Sequence, residues 1–521
     1  MKTTIHSLVL AAFLVSAAVF SQNLTLVKDI NPGSANAFPN GLTELNGKMY
    51  FFALTGTSYK LFISDGTAAG TKSIGPIANG NIYYLTKFNG KLFFTFDDGV
   101  NGLELWTSDG TASGTVIFKD IWPGNLGSLP RYFTECNGLL YFQASTAARG
   151  QGLWVTDGTL AGTRQLGNQY SNPFSETERF LVFNNEIYFQ GNPGNGYGMW
   201  KSNGTEAGTQ LVKSGIIGTA GTSYAVLNNT FYFTNGDNII GNELWTSDGT
   251  ATGTVLIKDI QAGIQSSTPL QFLAFNGKVY FTADNGVNGR EIWVSDGTDA
   301  GTQLLMDVNP GNAGSDPEQL RVFNGKVYFF AYNGTSGNLY QTNGTVAGTA
   351  LVQTLPMTRS VSYSYEFRNK IYFVSEASIG AGGGFIGRTD GSVAGTFLIE
   401  PFVSTLSYTD MKFLNFENEL YLPANFDGSG LELCKLDATL ALRNAASEKF
   451  SIYPNPSENG LFSVHGGNTI SEIKVYDLLG KSILLETIGI NQFRIVAATG
   501  VYQLQISTKE SERQFIKLVI K

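Results

Sequence analysis

The sequence predicts an all-β protein: a β-propeller of about nine (eight to nine) four-stranded blades, followed by a small immunoglobulin-like β-sandwich. Gly occurs 62 times, aromatic residues make up 13% of the chain and charged residues only 15%. This mixture is typical of short strands joined by tight turns. The phrase ELWTSDGTASGTVIFKDI at 104–121 returns at 243–260 as ELWTSDGTATGTVLIKDI. Weaker copies recur every 44 to 48 residues, which indicates a repeat architecture.

The sequence pattern of each repeat predicts four antiparallel strands. In the unit 272–308, two apolar runs meet at Asn276-Gly277, a dipeptide that supplies the positive φ angles of a tight hairpin. A second pair of runs is joined by SDGTDAGT, in which an Asp that can bond its own backbone precedes Gly. The turn recurs with its first polar residue at Asp65, Asp109, Asp157, Asn203, Asp248, Asp296, Asn343 and Asp390.

The two ends of the repeat region complement each other. The segment NLTLVKDINPGS, from Asn23, resembles a fourth strand, whereas the last repeat ends near Asp437 without one. The N-terminal strand is therefore predicted to complete the last blade, which removes both open edges of the ring. A solenoid is the alternative, although it does not need complementary half-blades.

The chain divides into four segments that differ in their sequence pattern. Residues 1–21 read as a secretory signal peptide, because the apolar run from Leu8 to Phe20 is too short to serve as a membrane anchor. Residues 22–440 form the repeats, 441–449 a linker, and 450–521 a further β-domain. The net charge of −8 and the lack of a basic stripe argue against nucleic acid or an anionic membrane as the main partner.

The repeats resemble the ELWxxDGT family of exported bacterial proteins, whose repeats form propeller-like arrays. The resemblance covers roughly residues 23–440. It is strong at Glu104-Leu105-Trp106, Glu243-Leu244-Trp245 and Glu291-Ile292-Trp293, and weak at Leu61-Phe62, Asn338-Leu339-Tyr340 and Phe385-Ile386-Gly387.

The tail resembles the C-terminal sorting domain of the type IX secretion system of Gram-negative bacteria. The resemblance implies Sec-dependent export, contact with the type IX machinery, and release or display at the outer-membrane surface. An ordinary structural β-domain is the alternative. The positions that carry the resemblance are Pro454, Asn455, Pro456, Asp477, Gly480, Lys481, Gly500, Tyr502 and Lys521.

The repeats contain no histidine, because the two in the chain are His6 and His465. Histidine-based catalysis and a histidine zinc site in the repeats are therefore excluded. The two cysteines, Cys136 and Cys434, lie in distant repeats and are predicted to be small apolar residues on strands.

Acidic residues recur as sets of three in four blades: one between the second and third strands, a Glu at the start of the third, and an Asp at the end of the fourth. Because neighbouring strands are antiparallel, the three should meet at one rim. Clustered carboxylates suit Ca²⁺, so a calcium site is the functional hypothesis, and bonding to backbone amides and to Lys28, Lys119 and Lys258 is the alternative. The sets are Asp98, Glu104 and Asp120; Asp237, Glu243 and Asp259; Asp284, Glu291 and Asp307; and Asp427, Glu432 and Asp29.

Trp122 is a second candidate for binding. It occupies a loop position held by Asn or Gln in related repeats, and its ring could stack on a sugar or pack against the next blade. The sequence thus predicts a non-catalytic binding or adhesion module for a glycan or protein. A carboxylate-based glycosidase or polysaccharide lyase, and a structural surface-layer component, are the alternatives.

Overall fold

The described residues of the chain consist of strands, turns and loops. The computed structural model describes residues 24–74, 82–148, 150–167, 170–172, 180–192, 197–216, 224–237, 239–357, 361–376, 384–402, 412–425, 429–436, 450–453, 457, 460–466, 470–477, 481–489, 492–508 and 513–520. Within these ranges there is no helix, and hence none that is long and apolar enough to cross a membrane. The chain divides into two compact units, Gln22–Thr439 and one built from Leu440–Lys521.

The first unit begins with β1 (Leu24–Lys28), and consecutive strands then form one sheet after another. Sheet 1 contains β2 (Asn40–Leu45), β3 (Lys48–Thr55), β4 (Ser58–Ser64) and β5 (Lys72–Ser73). Sheet 2 contains β6 (Ile82–Phe88), β7 (Lys91–Asp97), β8 (Leu103–Ser108) and β9 (Val116–Lys119). Sheet 3 contains β10 (Arg131–Cys136), β11 (Leu139–Thr146), β12 (Gly150–Thr156) and β13 (Arg164–Leu166).

Sheet 4 has five strands, because two short strands pair along the same edge of β16. They are β14 (Tyr170–Asn172), β15 (Leu181–Phe183), β16 (Glu186–Asn192), β17 (Gly198–Ser202) and β18 (Gln210–Ser214). Sheet 5 contains β19 (Ala225–Leu227), β20 (Thr230–Asp237), β21 (Gly241–Ser247) and β22 (Val255–Lys258). Sheet 6 contains β23 (Leu270–Phe275), β24 (Lys278–Asp284), β25 (Arg290–Ser295) and β26 (Gln303–Met306).

The last three sheets of this unit follow the same order. Sheet 7 contains β27 (Glu318–Phe323), β28 (Lys326–Tyr332), β29 (Gly337–Thr342) and β30 (Ala350–Met357). Sheet 8 contains β31 (Val361–Phe367), β32 (Lys370–Glu376), β33 (Gly384–Thr389) and β34 (Phe397–Phe402). Sheet 9 contains β35 (Leu414–Phe416), β36 (Glu419–Ala424), β37 (Glu432–Leu436) and, as its fourth strand, β1.

Tight turns and a strand from the other end of the unit build these sheets. Asn276 and Gly277, between β23 and β24, have φ angles of 49° and 70°, as the predicted hairpin turn requires. β1 pairs antiparallel with β37, placing Leu24 opposite Leu436 and Leu26 opposite Cys434. Cys136 and Cys434 are buried on β10 and β37, as predicted for small apolar residues on strands.

A buried apolar cluster lies between each sheet and the next. Sheets 1 and 2, for example, share Phe52, Leu61, Leu92 and Phe94. Equivalent clusters join sheets 2 and 3, and so on up to sheets 7 and 8. Two more clusters join sheet 8 to sheet 9 and sheet 9 to sheet 1. Because both faces of a sheet are covered, its second strand reads as a nearly continuous apolar run.

The second unit is a sandwich of two four-stranded sheets. One has the order β38 (Phe450–Tyr453), β39 (Leu461–Gly466), β43 (Gln492–Ile495), β42 (Leu485–Gly489). The other has the order β41 (Ser482–Ile483), β40 (Ile470–Tyr476), β44 (Gly500–Thr508), β45 (Arg513–Ile520). Apolar side chains of both sheets, including Phe462, Phe493, Leu504 and Leu518, form one buried core.

Candidate functional site

The repeated sheets have two chemically different ends. We call the end where the first strand meets the second, and the third meets the fourth, the turn end. The opposite end carries the loop between the second and third strands and the loop that leads from the fourth strand to the next sheet, and we call it the loop end. Antiparallel pairing places both turns at one end and both loops at the other.

At the turn end, each DGT phrase is a closed network of hydrogen bonds. Asp109 Oδ1 accepts bonds from Thr111 N (2.9 Å) and Thr111 Oγ1 (2.7 Å), and these bonds hold the pKa of the Asp109 carboxyl below its usual range. Thr111 Oγ1 accepts a bond from Gly114 N at 2.9 Å, and a side chain at Gly114 would overlap the Asp109 carboxylate. The same bonds recur around Asp65, Asp157, Asn203, Asp248, Asp296, Asn343 and Asp390.

The DGT turns also fasten one sheet to the next. Gly110, in the turn of sheet 2, lies against the hydroxyl of Tyr50 of sheet 1 so closely that a Cβ atom would overlap it. Lys28 Nζ donates to Thr71 O of sheet 1 at 2.6 Å, and Lys258 Nζ donates to Asp299 Oδ1 of sheet 6 at 2.8 Å. These two lysines therefore bind the following sheet, which corrects the interpretation that they satisfy the acids of their own blade.

At the loop end, a buried glutamate organises the loop after the fourth strand. Glu104, at the start of the third strand of sheet 2, is completely buried. Its Oε2 accepts bonds from Ile121 N (2.8 Å) and Ser128 Oγ (2.6 Å), and its Oε1 accepts bonds from Trp122 N (3.0 Å) and Ser128 N (2.9 Å). A buried carboxylate needs such donors, and a buried backbone N–H needs such an acceptor. Each therefore stabilises the other.

Three more sheets repeat this arrangement. Glu243 accepts bonds from Ile260 N and from both N and Oγ of Ser267. Glu291 accepts bonds from Val308 N, Asn309 N and Ser315 Oγ. Glu432 accepts bonds from Ile30 N and Asn31 N of the N-terminal segment. The sequence reasoning missed the serine partners, although Ser128, Ser267 and Ser315 each lie 24 residues after their glutamate.

Burial raises the pKa of all four glutamates more than their hydrogen bonds lower it. The pKa rises to about 7 for Glu291 and to about 7 for Glu432. The direction is the same for Glu104 and Glu243. A nearby aspartate of the fourth-strand end contributes in each case, so the glutamate and this aspartate do lie close together. The four pairs are Glu104 with Asp120, Glu243 with Asp259, Glu291 with Asp307, and Glu432 with Asp29.

The third acid of each predicted set is not equivalent from sheet to sheet. Asp98 lies within the loop of sheet 2, where its Oδ1 accepts bonds from Val100 N and Asn101 N. In sheet 6 the residue with the same bonds is Asn285. Asp284 is instead the last residue of the second strand, where it lies opposite Arg290 in the antiparallel register. Asp284 was matched to Asp98 because both are aspartates, but Asp284 lies one strand position before the residue that is equivalent to Asp98. The side chain of Asp237 and all of Asp427 lie outside the described residues.

Within the described ranges, no group of three or more His, Cys, Asp or Glu side chains is placed so that it could hold a metal ion. A cation at the glutamates would have to displace N–H and O–H donors that already bond both carboxylate oxygens. The aspartates are partly engaged as well, since Asp307 Oδ2 accepts a bond from Asn288 Nδ2 at 2.6 Å. Calcium binding at these positions stays a prediction.

Trp122 is half-buried in the loop after the fourth strand of sheet 2. At the equivalent position after β1, Asn31 Oδ1 accepts a bond from Gly56 N of the following sheet at 3.1 Å. Asn309 likewise lies against Gly334 of the following sheet. The position is thus used for contact between neighbouring sheets, and ligand stacking by Trp122 stays a prediction.

Apolar side chains are exposed at both ends, but in different sheets. At the loop end of sheets 2, 5 and 6, the exposed residues are Val100, Leu126, Ile239, Ile264 and Val287, with exposed fractions of 68% to 73%. At the turn end of sheets 3, 7 and 8, they are Leu160, Val346 and Val393, with exposed fractions of 60% to 65%. Three of the four sheets that contain the buried glutamate, sheets 2, 5 and 6, therefore carry strongly exposed aliphatic side chains at the loop end.

Sequence reasoning also missed an aromatic cluster on the first strands of sheets 2 and 3. The ring centroids of Tyr83 and Tyr84 are 6.1 Å apart, and those of Tyr84 and Tyr132 are 6.3 Å apart. The Arg131 guanidinium lies 5.0 Å from the Tyr132 centroid, and its Nε donates to Gln143 Oε1 at 2.6 Å. The signal was the pair of segments IYYLTKF and RYFTEC, in which Tyr84 and Tyr132 occupy matching strand positions.

The described sorting positions of the second unit serve its fold. Asp477 and Lys481 close a turn, because Lys481 N donates to Asp477 Oδ1 at 2.9 Å and Asp477 N donates to Lys481 O at 3.0 Å. Tyr502 is buried and its hydroxyl donates to Ala498 O at 2.6 Å, while Gly500 begins β44. The remaining positions lie outside the described residues: Pro454, Asn455, Pro456, Gly480 and Lys521.

Several solved structures resemble this chain at low sequence identity. The computationally designed Ika8 protein has 12% identity and a TM-score of 0.39, covering 79% of this chain and 98% of its own. A puromycin hydrolase has 11% identity and a TM-score of 0.37, covering 78% of this chain and 60% of its own. Sqt1 of Saccharomyces cerevisiae has 11% identity and a TM-score of 0.39, covering 68% and 94%. These similarities carry no conclusion about activity or ligand.

The comparison with protein families concerns the second unit. No curated protein matches the chain. Residues 451–521 match the family described as the secretion system C-terminal sorting domain. This segment is therefore a type IX sorting domain, and the protein that carries it is a secreted or surface protein.

Proposed function

We propose that the first unit is a closed nine-bladed β-propeller that binds a glycan or protein partner at its loop end, without catalysis, after export by the type IX machinery. Two observations support the ring. The described residues of this unit form nine sheets, and each shares an apolar cluster with the next. Sheet 9 shares one cluster with sheet 8 and another with sheet 1.

The proposed binding role rests on the difference between the turn end and the loop end of the sheets. The turn end is occupied by contacts that each DGT turn makes within itself and with the preceding sheet. The loop end holds loops that expose Val100, Leu126, Ile239, Ile264 and Val287, whereas the apolar side chains exposed at the turn end belong to other sheets. Exposed apolar side chains on rigidly held loops are typical of recognition surfaces, since binding them requires little ordering of the protein.

The state of the glutamates supports a non-catalytic role. A general acid or nucleophile has to reach the substrate. Glu104, Glu243, Glu291 and Glu432 are completely buried, and their carboxylate oxygens accept bonds from the protein's own donors. They therefore hold the loops rather than act on a substrate. The sorting domain supports the location, because a protein delivered to the surface or beyond meets glycans and other proteins there.

Adhesion of coated beads tests the proposed function. Beads carrying the mature chain are applied to surfaces of alginate, xylan, collagen and mucin. The loop-end variant is Leu126→Ser/Ile264→Ser/Val287→Ser, and the matched turn-end variant is Leu160→Ser/Val346→Ser/Val393→Ser. We expect the wild type and the turn-end variant to adhere to at least one surface, and the loop-end variant to lose most of this adhesion.

Four results would overturn the proposal. Beads that adhere to none of the surfaces would refute the binding function. Equal adhesion by both variants would remove the loop end as the binding surface, and beads that adhere only to one another would favour a structural surface component. Release of reducing sugars or unsaturated uronates from the polysaccharides by the purified chain would make it an enzyme. The melting temperature of each variant controls for misfolding.

A further inference from the structure

We propose that Tyr83, Tyr84, Arg131 and Tyr132 form a carbohydrate-binding platform. The inference rests on the proposed binding function and names its ligand class and a site. The four residues lie on β6 and β10, the first strands of sheets 2 and 3, close to where these strands leave the loop end. The side chain of Tyr83 is 43% exposed, and the other three are half-buried, so the platform is partly open to solvent.

The backbone under the platform is in an unusual conformation. Tyr84 and Tyr132 have φ angles of 61° and 64°, in the left-handed region that bulky residues rarely adopt. Each lies in a register shift of its strand, between Tyr83 and Thr86 in β6 and between Arg131 and Thr134 in β10. Such bulges re-aim side chains, and strained residues of this kind concentrate at ligand sites.

The same bulge occurs in other sheets without an aromatic ring. The equivalent residues are Gly41 of sheet 1 (φ 67°), Gln271 of sheet 6 (φ 58°) and Gln319 of sheet 7 (φ 54°). Gln319 bridges to the next first strand, since its Nε2 donates to Ser362 O at 3.0 Å and its Oε1 accepts a bond from Ser364 Oγ at 3.1 Å. The fold therefore tolerates Gly or Gln here, and the tyrosines are not demanded by the bulge itself.

The chemistry of the cluster suits a sugar. A pyranose presents an apolar C–H face that packs on an aromatic ring, and it presents hydroxyl groups at its edge that need hydrogen-bond partners. Two neighbouring ring pairs, 6.1 Å and 6.3 Å between centroids, supply the stacking surface. Arg131 supplies guanidinium donors beside it, and its bond to Gln143 and its position over Tyr132 fix their direction.

Affinity electrophoresis of the full mature chain tests the platform. The probes are laminarin, xylan, dextran, pectin and alginate, each included in a native gel. The variants are Tyr132→Gly, which has a precedent at Gly41, and Tyr83→Ala, which changes a partly exposed side chain. Gln271→Gly is the matched control, since it makes the same backbone change in sheet 6 without removing a ring.

We expect at least one polysaccharide to retard the wild type and Gln271→Gly equally. Each tyrosine variant should bind it about tenfold more weakly, the scale expected for losing one stacked ring. Retardation by pectin or alginate alone would assign an acidic sugar bound by Arg131, and retardation by the neutral polysaccharides would assign stacking as the main contact. The melting temperatures of the variants separate loss of binding from loss of fold.

The platform would be overturned if no polysaccharide retarded the wild type, or if both tyrosine variants bound like Gln271→Gly. Either result leaves the bead experiment to decide on the proposed function. Beads that adhere to collagen through the loop tips would then indicate a protein ligand. Beads that adhere to nothing would refute the binding function together with the platform.

Discussion

Two groups of sheets in the same unit use one strand position differently. Sheets 2, 5, 6 and 9 place a glutamate opposite the second strand, and its carboxylate binds the loop that follows the fourth strand. In sheet 7 the residue is Asn338, whose side-chain amide exchanges hydrogen bonds with Ser336, two residues away. The remaining sheets have Lys60, Gly152, Gly198 and Phe385 there.

The difference shows that the repeat contains two separable sets of interactions. The turn chemistry is present in sheets 1 to 8, whether or not the glutamate is, so it maintains strand pairing and contact between sheets. The glutamate is present in sheets 2, 5, 6 and 9, and in each of them it binds the loop that follows the fourth strand. Sheets can therefore differ at the loop end while they keep the same framework.

The largest effect is expected from Glu104→Ala. It leaves the buried N–H groups of Ile121 and Ser128 and the partly buried N–H group of Trp122 without an acceptor, and each unsatisfied buried donor costs about 1–3 kcal/mol. The free energy of unfolding should fall by about 3 kcal/mol or more, measured by chemical denaturation. Asn338→Ala, the matched change in sheet 7, should cost about 1 kcal/mol. Equal losses would mean that the glutamate is no more important than its counterpart.

A smaller effect is expected from pH. The pKa of Glu291 is raised from its usual 4.5 to about 7 in the folded protein, so the folded state binds the proton more tightly than the unfolded state. The stability from this group is fully present below pH 4.5 and is lost as the pH rises through about 7. The melting temperature should therefore fall between pH 5 and 8 by less in Glu291→Gln than in the wild type. Parallel pH profiles would refute this.

The smallest effect concerns calcium. If the sets that contain Glu104, Glu243, Glu291 and Glu432 bind Ca²⁺, millimolar calcium should raise the melting temperature by several degrees above that in excess EGTA, because a ligand of the folded state stabilises it. Glu104→Ala should then abolish part of the rise. An unchanged melting temperature would assign these acids to loop bonding alone and would widen the contrast between the two groups of sheets.

Features of the fold that depend on neighbouring residues could be predicted from the sequence, whereas features of the site that depend on distant residues could not. The hairpin at Asn276-Gly277 and the DGT turns need few neighbours, so their residues alone predict the strands that they join. Glu104 could be singled out, and the constant spacing of 24 residues was an available signal for Ser128. That spacing alone does not show that the serine reaches the carboxylate, because the path of the loop is not set by local residues. Tyr84 and Tyr132 meet only because two bulged strands of different sheets are neighbours in space. Asp284 was misassigned because residue type was followed where strand register decides equivalence.

The pairing of β1 with β37 has a consequence for the order in which the molecule is completed. The amides of Ile30 and Asn31 bind Glu432, about 400 residues further along the chain. β1, which is synthesised first in this unit, therefore has no partner until β37, nearly the last strand of the unit, has been made. A chain that ends between the two leaves β1 unpaired. Unpaired strand edges invite proteases and aggregation. A chain that lacks either β1 or β37 cannot complete sheet 9 and is therefore expected to be degraded or to aggregate. The sheet built from both ends thus selects for chains that contain the whole unit.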